Sequence, residues 1–590
     1  MERREIIFSD IYENIVEKEH ITNDRNLADK WHRIPYSTEL TDGHMLLSYE
    51  NDFPENITLK LGLVGNWRLY IATTRFAHND NNYLHVKLSS QPCWTEIKIN
   101  SHVAPSSWQP SEFVQEILMF HTDLTGEDLV ISRPKNNLKS TGCVLWVRCV
   151  PCDGKTDTLF DFSNPEHKTM QYHFDSDLSY ENSLTTVPEN CMKEFAAAES
   201  DVDFVSQEIS LGQNDDTDCD GEVLRVLDSQ RIFDLNNKSL HAINDAVDLE
   251  RIKMAHDSGY RIYATHRMQV SSFQLPYAGK SSRITFADNH PEYSAAWRDG
   301  TRLSMLSYAY APVREFTINV LTENLKKGYD GLSLILHRGI TVGFEEPVAT
   351  LFHERYPDAD LHVLPLHDAR VRECRCKFMT DFMIELKQQV DLIAKEQNRK
   401  IGINVITDYT PETALNFGLD IKEWAKCGLI TEVSQGDMEI YEDLTDCMSD
   451  TDPAVIDLEK YKKENSHRQV LCRHYGTDLE KTISAIPELL ELEDNYGVKV
   501  YNILPWVHTI EPLEFVDAAK LLYQAGARRL LMWNTLQCMR NPLEWGFIKR
   551  LGHKNDLDRI NNQTLGLYNH YRVMSYGDVN ISLVSPNWRG

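Results

Sequence analysis

Residues 378–406 read FMTDFMIELKQQVDLIAKEQNRKIGINVI. Phe378, Met379, Phe382, Met383, Leu386, Val390 and Ile393 recur at steps of three and four, the apolar stripe of a helix lying on a core. Ile401-Gly402-Ile403-Asn404-Val405-Ile406 then forms a short run of the kind a strand covered on both faces requires. A helix that feeds directly into such a strand is half of a repeating parallel unit. The same alternation extends in both directions. Upstream strands are expected at Met170–Phe174, Val202–Ser206, Tyr260–Thr265 and Gly331–Leu336. Downstream ones are expected at Leu429–Val433, Val498–Leu504 and Arg529–Trp533. Phe515, Val516, Ala519, Leu522 and Ala525 mark another helical stripe, and Gly259, Gly328 and Gly526 stand where helices stop. Eight strands alternating with helices over roughly 370 residues predict an α/β fold, a closed (β/α)8 barrel. Gln469–Tyr475 also has strand character, so the count is eight or nine, the ninth being an excursion.

The front of the chain has a different rhythm. Thr58–Leu63, Trp67–Ala72, Leu84–Leu88 and Gly142–Val147 partly alternate apolar and polar residues, with turn residues such as Gly65-Asn66 and Gly126-Glu127 between them. This predicts an antiparallel β-sandwich over residues 1–160 that precedes the barrel at 161–590. Acidic loop insertions are expected near 211–222 and 438–465. The first contains Asp216, Asp218, Asp220 and Gly221, the opening of a calcium loop, but its twelfth position is Leu227 rather than the required Glu. Trp67, Trp94, Trp108 and Trp146 suit either a sugar platform or core packing.

Composition narrows the function. Of 590 residues, 89 are acidic and 61 basic, a net charge of −28, which repels phosphate backbones and anionic membrane surfaces. No transmembrane run is present, and Met1-Glu2-Arg3-Arg4-Glu5 leads into no apolar leader. The 12 cysteines are scattered, without paired zinc spacing; Cys149 and Cys152 form a lone C-x-x-C. A cytoplasmic protein with free thiols, no nucleic-acid or membrane partner and no cofactor is expected, with homo-oligomerisation left open. Glycine-rich phosphate loops, the G-x-S-x-G elbow and H-E-x-x-H are absent from the sequence.

Chemistry in a (β/α)8 barrel gathers where strands end at the carboxyl face. The expected ring runs Asp175 and Asp177, Gln207 and Glu208, His266-Arg267, His337-Arg338 with Glu345-Glu346, Asp408-Tyr409, Gln435 and Asp437, Trp506 and His508, then Trp533-Asn534. Carboxylates, cations and indoles together suit a sugar, and two carboxyls across a glycosidic bond supply acid and base or nucleophile. Glu345 is the candidate general acid, because Phe344 and Pro347 beside it favour a raised pKa, and Asp408 is the nucleophile or base. Glu208 substitutes for either. Asp175, His266, Arg267, His337, Arg338, Gln435, Trp506, Trp533 and Asn534 are the candidate substrate-binding residues. The expected partner is a small oligosaccharide or glycoside. Two alternatives stay open. One is a non-catalytic carbohydrate-binding barrel. The other is a metal-dependent sugar isomerase, epimerase or hydrolase using His173, Asp175, His266, His337 and Asp408.

Several segments, taken in order, resemble the bacterial glycoside-hydrolase-like barrel proteins of the "glycosyl hydrolase-like 10" group. They are Leu306–Arg314, Tyr329–Leu334 with His337-Arg338-Gly339, Phe344–Val348 with Phe352, Gly418–Trp424 with Gly428–Ile430, Tyr523–Ala527 and Met532–Asn534. The resemblance implies an intracellular glycosidase and carries over best at Glu345 and Arg338. It departs where the group has acids or a cation: Ile335 and Asn534 replace two aspartates, and Trp506 replaces an arginine. Those departures motivate the non-catalytic alternative.

Overall fold

The computed structural model describes residues 4–49, 52–74, 76, 84–91, 94–97, 112–133, 141–152, 168–174, 197, 200–210, 215–217, 223–225, 248–268, 285–296, 298, 300, 302–336, 341–365, 367–436, 438–441, 472–475, 478–504, 512–533, 535, 545, 548–560 and 568–577. Eight parallel strands close into a barrel. They are β1 (Met170–Phe174), β2 (Val202–Ser210), β3 (Arg261–Arg267), β4 (Gly331–Ile335), β5 (Gly402–Ile406), β6 (Glu432–Ser434), β7 (Lys499–Ile503) and β8 (Leu530–Met532). Closure is made by β8 against β1, Met170 facing Leu530 and Tyr172 facing Met532. The main outer helices are α1 (Ala311–Lys327), α2 (Glu346–Arg355), α3 (Ala369–Glu396), α4 (Ile421–Lys426), α5 (Leu479–Tyr496) and α6 (Pro512–Gln524). None of the described helices is long and apolar enough to cross a membrane.

Local chemistry explains these elements. The α3 stripe from Met379 to Ile393 is buried, and Asp368 caps the helix by accepting from the Arg370 amide. Gly328 ends α1 at φ +115°, a left-handed turn that a side chain would strain. The ninth candidate strand is an excursion. Cys472–Tyr475 pairs antiparallel with Met438–Tyr441, a hairpin between β6 and β7. A second hairpin follows β2, with Asp216 opposite Leu224. Strand therefore flanks the acidic stretch where a calcium loop of that type has helices; Asp218 and Asp220 lie outside the described residues.

The barrel interior is filled in layers. At the amino end Arg261 binds Asp203 and Glu432, each at 2.9 Å, and Lys499 binds Asp203 at 2.8 Å. Above them Tyr263 and Tyr501 cross the interior beside Phe204, at 4.4 and 5.2 Å between ring centres. Gly331 and Gly402 make room for Tyr263: a Cβ at either would overlap its phenol ring or oxygen. Next comes a closed polar ring. Gln171 donates to Ser206, Ser206 to Ser333, Asn404 to Ser333, and Ser434 to both Asn404 and Gln171.

The front domain packs a four-stranded sheet on a nine-stranded one. Ile57, Leu84, Val86 and Ile131 of the smaller sheet meet Leu69, Ile71, Ile117 and Val147 of the larger. The larger sheet is completed from the far end of the chain. Tyr568–Ser575 lies between Phe113–Asp123 and Trp31–Thr38, with Tyr568 opposite Ile117 and Val573 opposite Thr38. A boundary drawn at residue 160 assigns that strand to the barrel, whereas its hydrogen bonds are to the sandwich. Trp67 and Trp146 are buried in separate cores, and Trp94 stands beside His85 under Lys87, so these three share no platform; Trp108 lies outside the described residues.

Glu116 joins the returning strand to the sheet. Its buried carboxylate accepts from Trp146 Nε1 at 2.8 Å, Arg148 Nε at 2.8 Å and Asn569 Nδ2 at 2.9 Å. Glu116→Ala strips Arg148 of its main partner and should cost about 3–5 kcal/mol. Thermal unfolding measures this, and an unchanged midpoint would refute the joint.

Candidate active site at the carboxyl mouth of the barrel

Side chains of a strand alternate between the interior and the helices. The inward set at the carboxyl end splits into two halves. Ile335 of β4, Ile406 of β5 and Ile503 of β7 pack with Leu531 and Trp533 into an apolar plug. Strands β1 to β3 contribute the polar half: His173, Glu208, Thr265 and Arg267.

Glu208 is the centre of that half. It is fully buried, and Arg267 Nε donates to its Oε1 at 2.6 Å while His173 Nε2 stands 3.4 Å from Oε2. Burial pushes the carboxyl up, but the Arg267 guanidinium and His173 outweigh it and hold the value down at about 2. Glu208 is thus a permanent carboxylate at the end of a barrel strand. His173 lies flat on the Trp533 indole, ring centres 3.7 Å apart and planes 7° from parallel. Trp533 is 3% exposed, so this stack and the isoleucine layer leave its indole little open surface for a sugar. Asp408, two residues beyond β5, is also 3% exposed, and its Oδ1 accepts from the Tyr409 amide at 2.7 Å.

The other candidates occupy different surroundings. Glu345 is buried just before α2, where Oε1 accepts from Ser307 and Gly343 N and Oε2 from Ala296 N and Gly343 N. Burial raises its pKa, as its apolar neighbours suggest, with these donors opposing. The carboxyl ties the hairpin formed by Ser294–Ala296 and Arg302–Leu306 to the start of α2. Its position is that of a brace for the segment 341–345. That segment is further pinned by Arg298 and Arg375 about the Phe344 ring and by Arg375 on the Val342 carbonyl. Gln435 is turned outward: it donates to the Tyr409 and Thr482 carbonyls at 3.2 Å each and accepts from Asn502 at 3.0 Å. His266 also faces outward, 3.3 Å from Asn324 of α1. His173 and His266 therefore stand on opposite sides of the barrel wall, which separates two members of the proposed metal set; among the described residues no three His, Cys, Asp or Glu gather to hold an ion. Asp175, Asp177, His337, Arg338, Asp437, Trp506, His508 and Asn534 lie outside the described residues.

Sequence reasoning did not attach His173 or Thr265 to the glycosidase site. Strand parity is the signal that finds them: His173 shares its face with Gln171, and Thr265 with Tyr263 and Arg267.

No family model matches the chain, and no curated protein matches it in sequence. Solved structures similar to the chain include the glycoside hydrolase domain of PgaB (BpsB) from Bordetella bronchiseptica, at 12% identity over 64% of this chain and 98% of that one, TM-score 0.38. The glycoside hydrolase domain of PelA from Pseudomonas aeruginosa follows at 12% identity over 63% and 96%, TM-score 0.28. The α-galactosidase TtGalA from Thermus thermophilus, in complex with stachyose, matches at 10% identity over 88% and 98%, TM-score 0.34. Scores and identities this low assign no activity and no residues. The chain is a (β/α)8 barrel on its own strand pairing, joined to a β-sandwich.

Two carboxyls shifted in opposite directions give opposite pH signatures. Glu208 titrates lower in the folded chain than its ordinary 4.5, so its stabilisation is complete above 4.5 and is lost as pH falls towards about 2. Glu345 titrates higher, so its contribution is complete below 4.5 and is lost as pH rises through its folded value. Glu208→Gln should therefore flatten the loss of thermal stability between pH 4.5 and 2; equal acid sensitivity in parent and variant would contradict the ion pair. Glu345→Gln turns an amide N–H towards backbone donors and should cost about 1–3 kcal/mol. Catalytic loss in that variant without a fall in melting temperature would return Glu345 to an acid role.

Proposed function

We propose that the protein is a glycoside hydrolase acting on a small oligosaccharide or glycoside at the carboxyl mouth of its barrel. The observation that carries this reading is Glu208, a buried carboxylate kept ionised by Arg267 on the inner wall of β2. An anion so placed can attack an anomeric carbon but cannot donate a proton, which assigns the nucleophile to Glu208 and proton transfer to Asp408 across the mouth. Glu208 forms a bond to the anomeric carbon as the glycosidic C–O bond breaks. The leaving oxygen takes the proton of Asp408. Water then attacks the glycosyl–Glu208 ester, gives its proton to Asp408 and frees the sugar and the carboxylate. This reading moves the acid role expected at Glu345 to Asp408, and the nucleophile role expected at Asp408 to Glu208.

One observation favours the non-catalytic alternative. Ile335 stands in the apolar plug where the resembled group has an acid, and Trp533 is covered. A sugar-binding barrel needs no charge at that height.

A panel of aryl glycosides and oligosaccharides separates the readings. Hydrolysis of at least one substrate is expected, with Glu208→Gln and Asp408→Asn each lowering kcat by about a thousandfold or more at unchanged fold. A 2-deoxy-2-fluoroglycosyl fluoride should label the peptide that carries Glu208. Saturable sugar binding with no turnover across the panel would instead establish the non-catalytic barrel.

A further inference from the structure

The two oxygens of Glu208 are not equivalent. Oε1 is clamped by the short Arg267 Nε bond at 2.6 Å. Among the described residues Oε2 meets Arg267 Nη2, a long hydrogen bond at 3.5 Å, and His173 Nε2, an ion-pair contact at 3.4 Å that is not a hydrogen bond. Oε2 is the more lightly engaged oxygen, so it is the better nucleophile of the pair. It works only if the carboxylate plane is held still, and the tight bond to Oε1 with the long 3.5 Å bond to Oε2 leaves rotation about the Arg267 contact. A second fixed point is needed, and His173 is the described group in that place.

The surroundings of His173 explain how it stays fixed. Its side chain is fully buried on β1, and its ring lies on Trp533 at 3.7 Å and 7°. Rotation of the imidazole would lift it off the indole and drive it into the packed interior. Neither Nδ1 nor Nε2 has a hydrogen-bond partner among the described residues, so the stack on Trp533 and the 3.4 Å contact with Oε2 set the ring's orientation. The isoleucine plug packs with Trp533 in turn. The apolar half of the mouth thereby supports the polar half.

We propose that His173, backed by Trp533, is a positioning residue that turns Glu208 so that Oε2 is the reacting oxygen. This rests on the glycosidase reading above. Trp533 then serves as the backing of a histidine rather than as a platform for a pyranose. His173 makes and breaks no bond to substrate.

The test uses the full chain with His173→Phe, which keeps an aromatic ring on the indole but removes the nitrogen facing Oε2, and His173→Gln, whose amide nitrogen reaches the place of Nε2. On a cleaved glycoside, His173→Phe should lower kcat ten- to a hundredfold with KM within about twofold. It should also move the acid limb of the kcat/KM profile to higher pH, because Glu208 loses a group that favours its charged form. His173→Gln should recover part of both effects. Turnover within twofold of the parent in His173→Phe, or equal damage in the two variants, would overturn the proposal. A second readout needs no turnover: the acid loss of thermal stability set by Glu208 still starts near 4.5 but should be smaller and end at higher pH in His173→Phe. An unmoved acid transition also overturns it. If that transition moves while no glycoside is cleaved, the glycosidase reading fails. The pair is then structural, and the catalytic positioning assigned to His173 falls with it.

Discussion

A closed ring of eight parallel strands sends every second side chain into a space with no room for bulk water, and a polar group sent there is favoured when it finds a partner on another strand. This chain meets the constraint three times along the barrel axis. Ion pairs of Asp203, Arg261, Glu432 and Lys499 hold the amino end. The Gln171, Ser206, Ser333, Asn404 and Ser434 ring satisfies the middle. At the carboxyl end the same rule leaves Glu208 with Arg267 and His173. The candidate site is therefore the uppermost of three buried polar layers, and it is distinguished by its position at the carboxyl end of the strands.

That stacking also explains the division of the mouth. Isoleucines on β4, β5 and β7 need no partners and fill the far half, so the mouth's charged side chains within the described strands lie on neighbouring β1, β2 and β3, with Asp408 just beyond β5. Their adjacency brings Arg267 and His173 within reach of one carboxylate. Glu345, by contrast, belongs to the loop architecture outside the barrel wall, where a buried carboxyl gathers amides from the segments around it. Two buried glutamates with opposite pKa shifts thus do different work, one held as a charge and one as a joint.

The periodic signals were legible. All eight barrel strands fall where short apolar-rich runs alternate with helical stripes, because parallel strands covered on both faces favour apolar residues. The strand character of Gln469–Tyr475 was legible too, but only pairing shows that Cys472–Tyr475 bonds to Met438–Tyr441 in a hairpin. Tyr568–Ser575 carries no mark in its sequence of belonging to a sheet that begins hundreds of residues earlier; Glu116 and the edge of Phe113–Asp123 recruit it. At strand ends, residue type alone cannot separate inward from outward. His266 and Arg267 are adjacent, yet one meets α1 and the other Glu208.

What the sequence determined by itself is the architecture, since hydrophobic periodicity of 3.6 and of runs is written along the chain and needs no partner to be read. Which carboxyl is a lasting anion, which is a brace and which indole is covered were decided by tertiary structure alone. Those properties depend on distances of a few ångströms between residues tens to hundreds of positions apart, and a charge or a stacked ring has no value until its neighbour arrives.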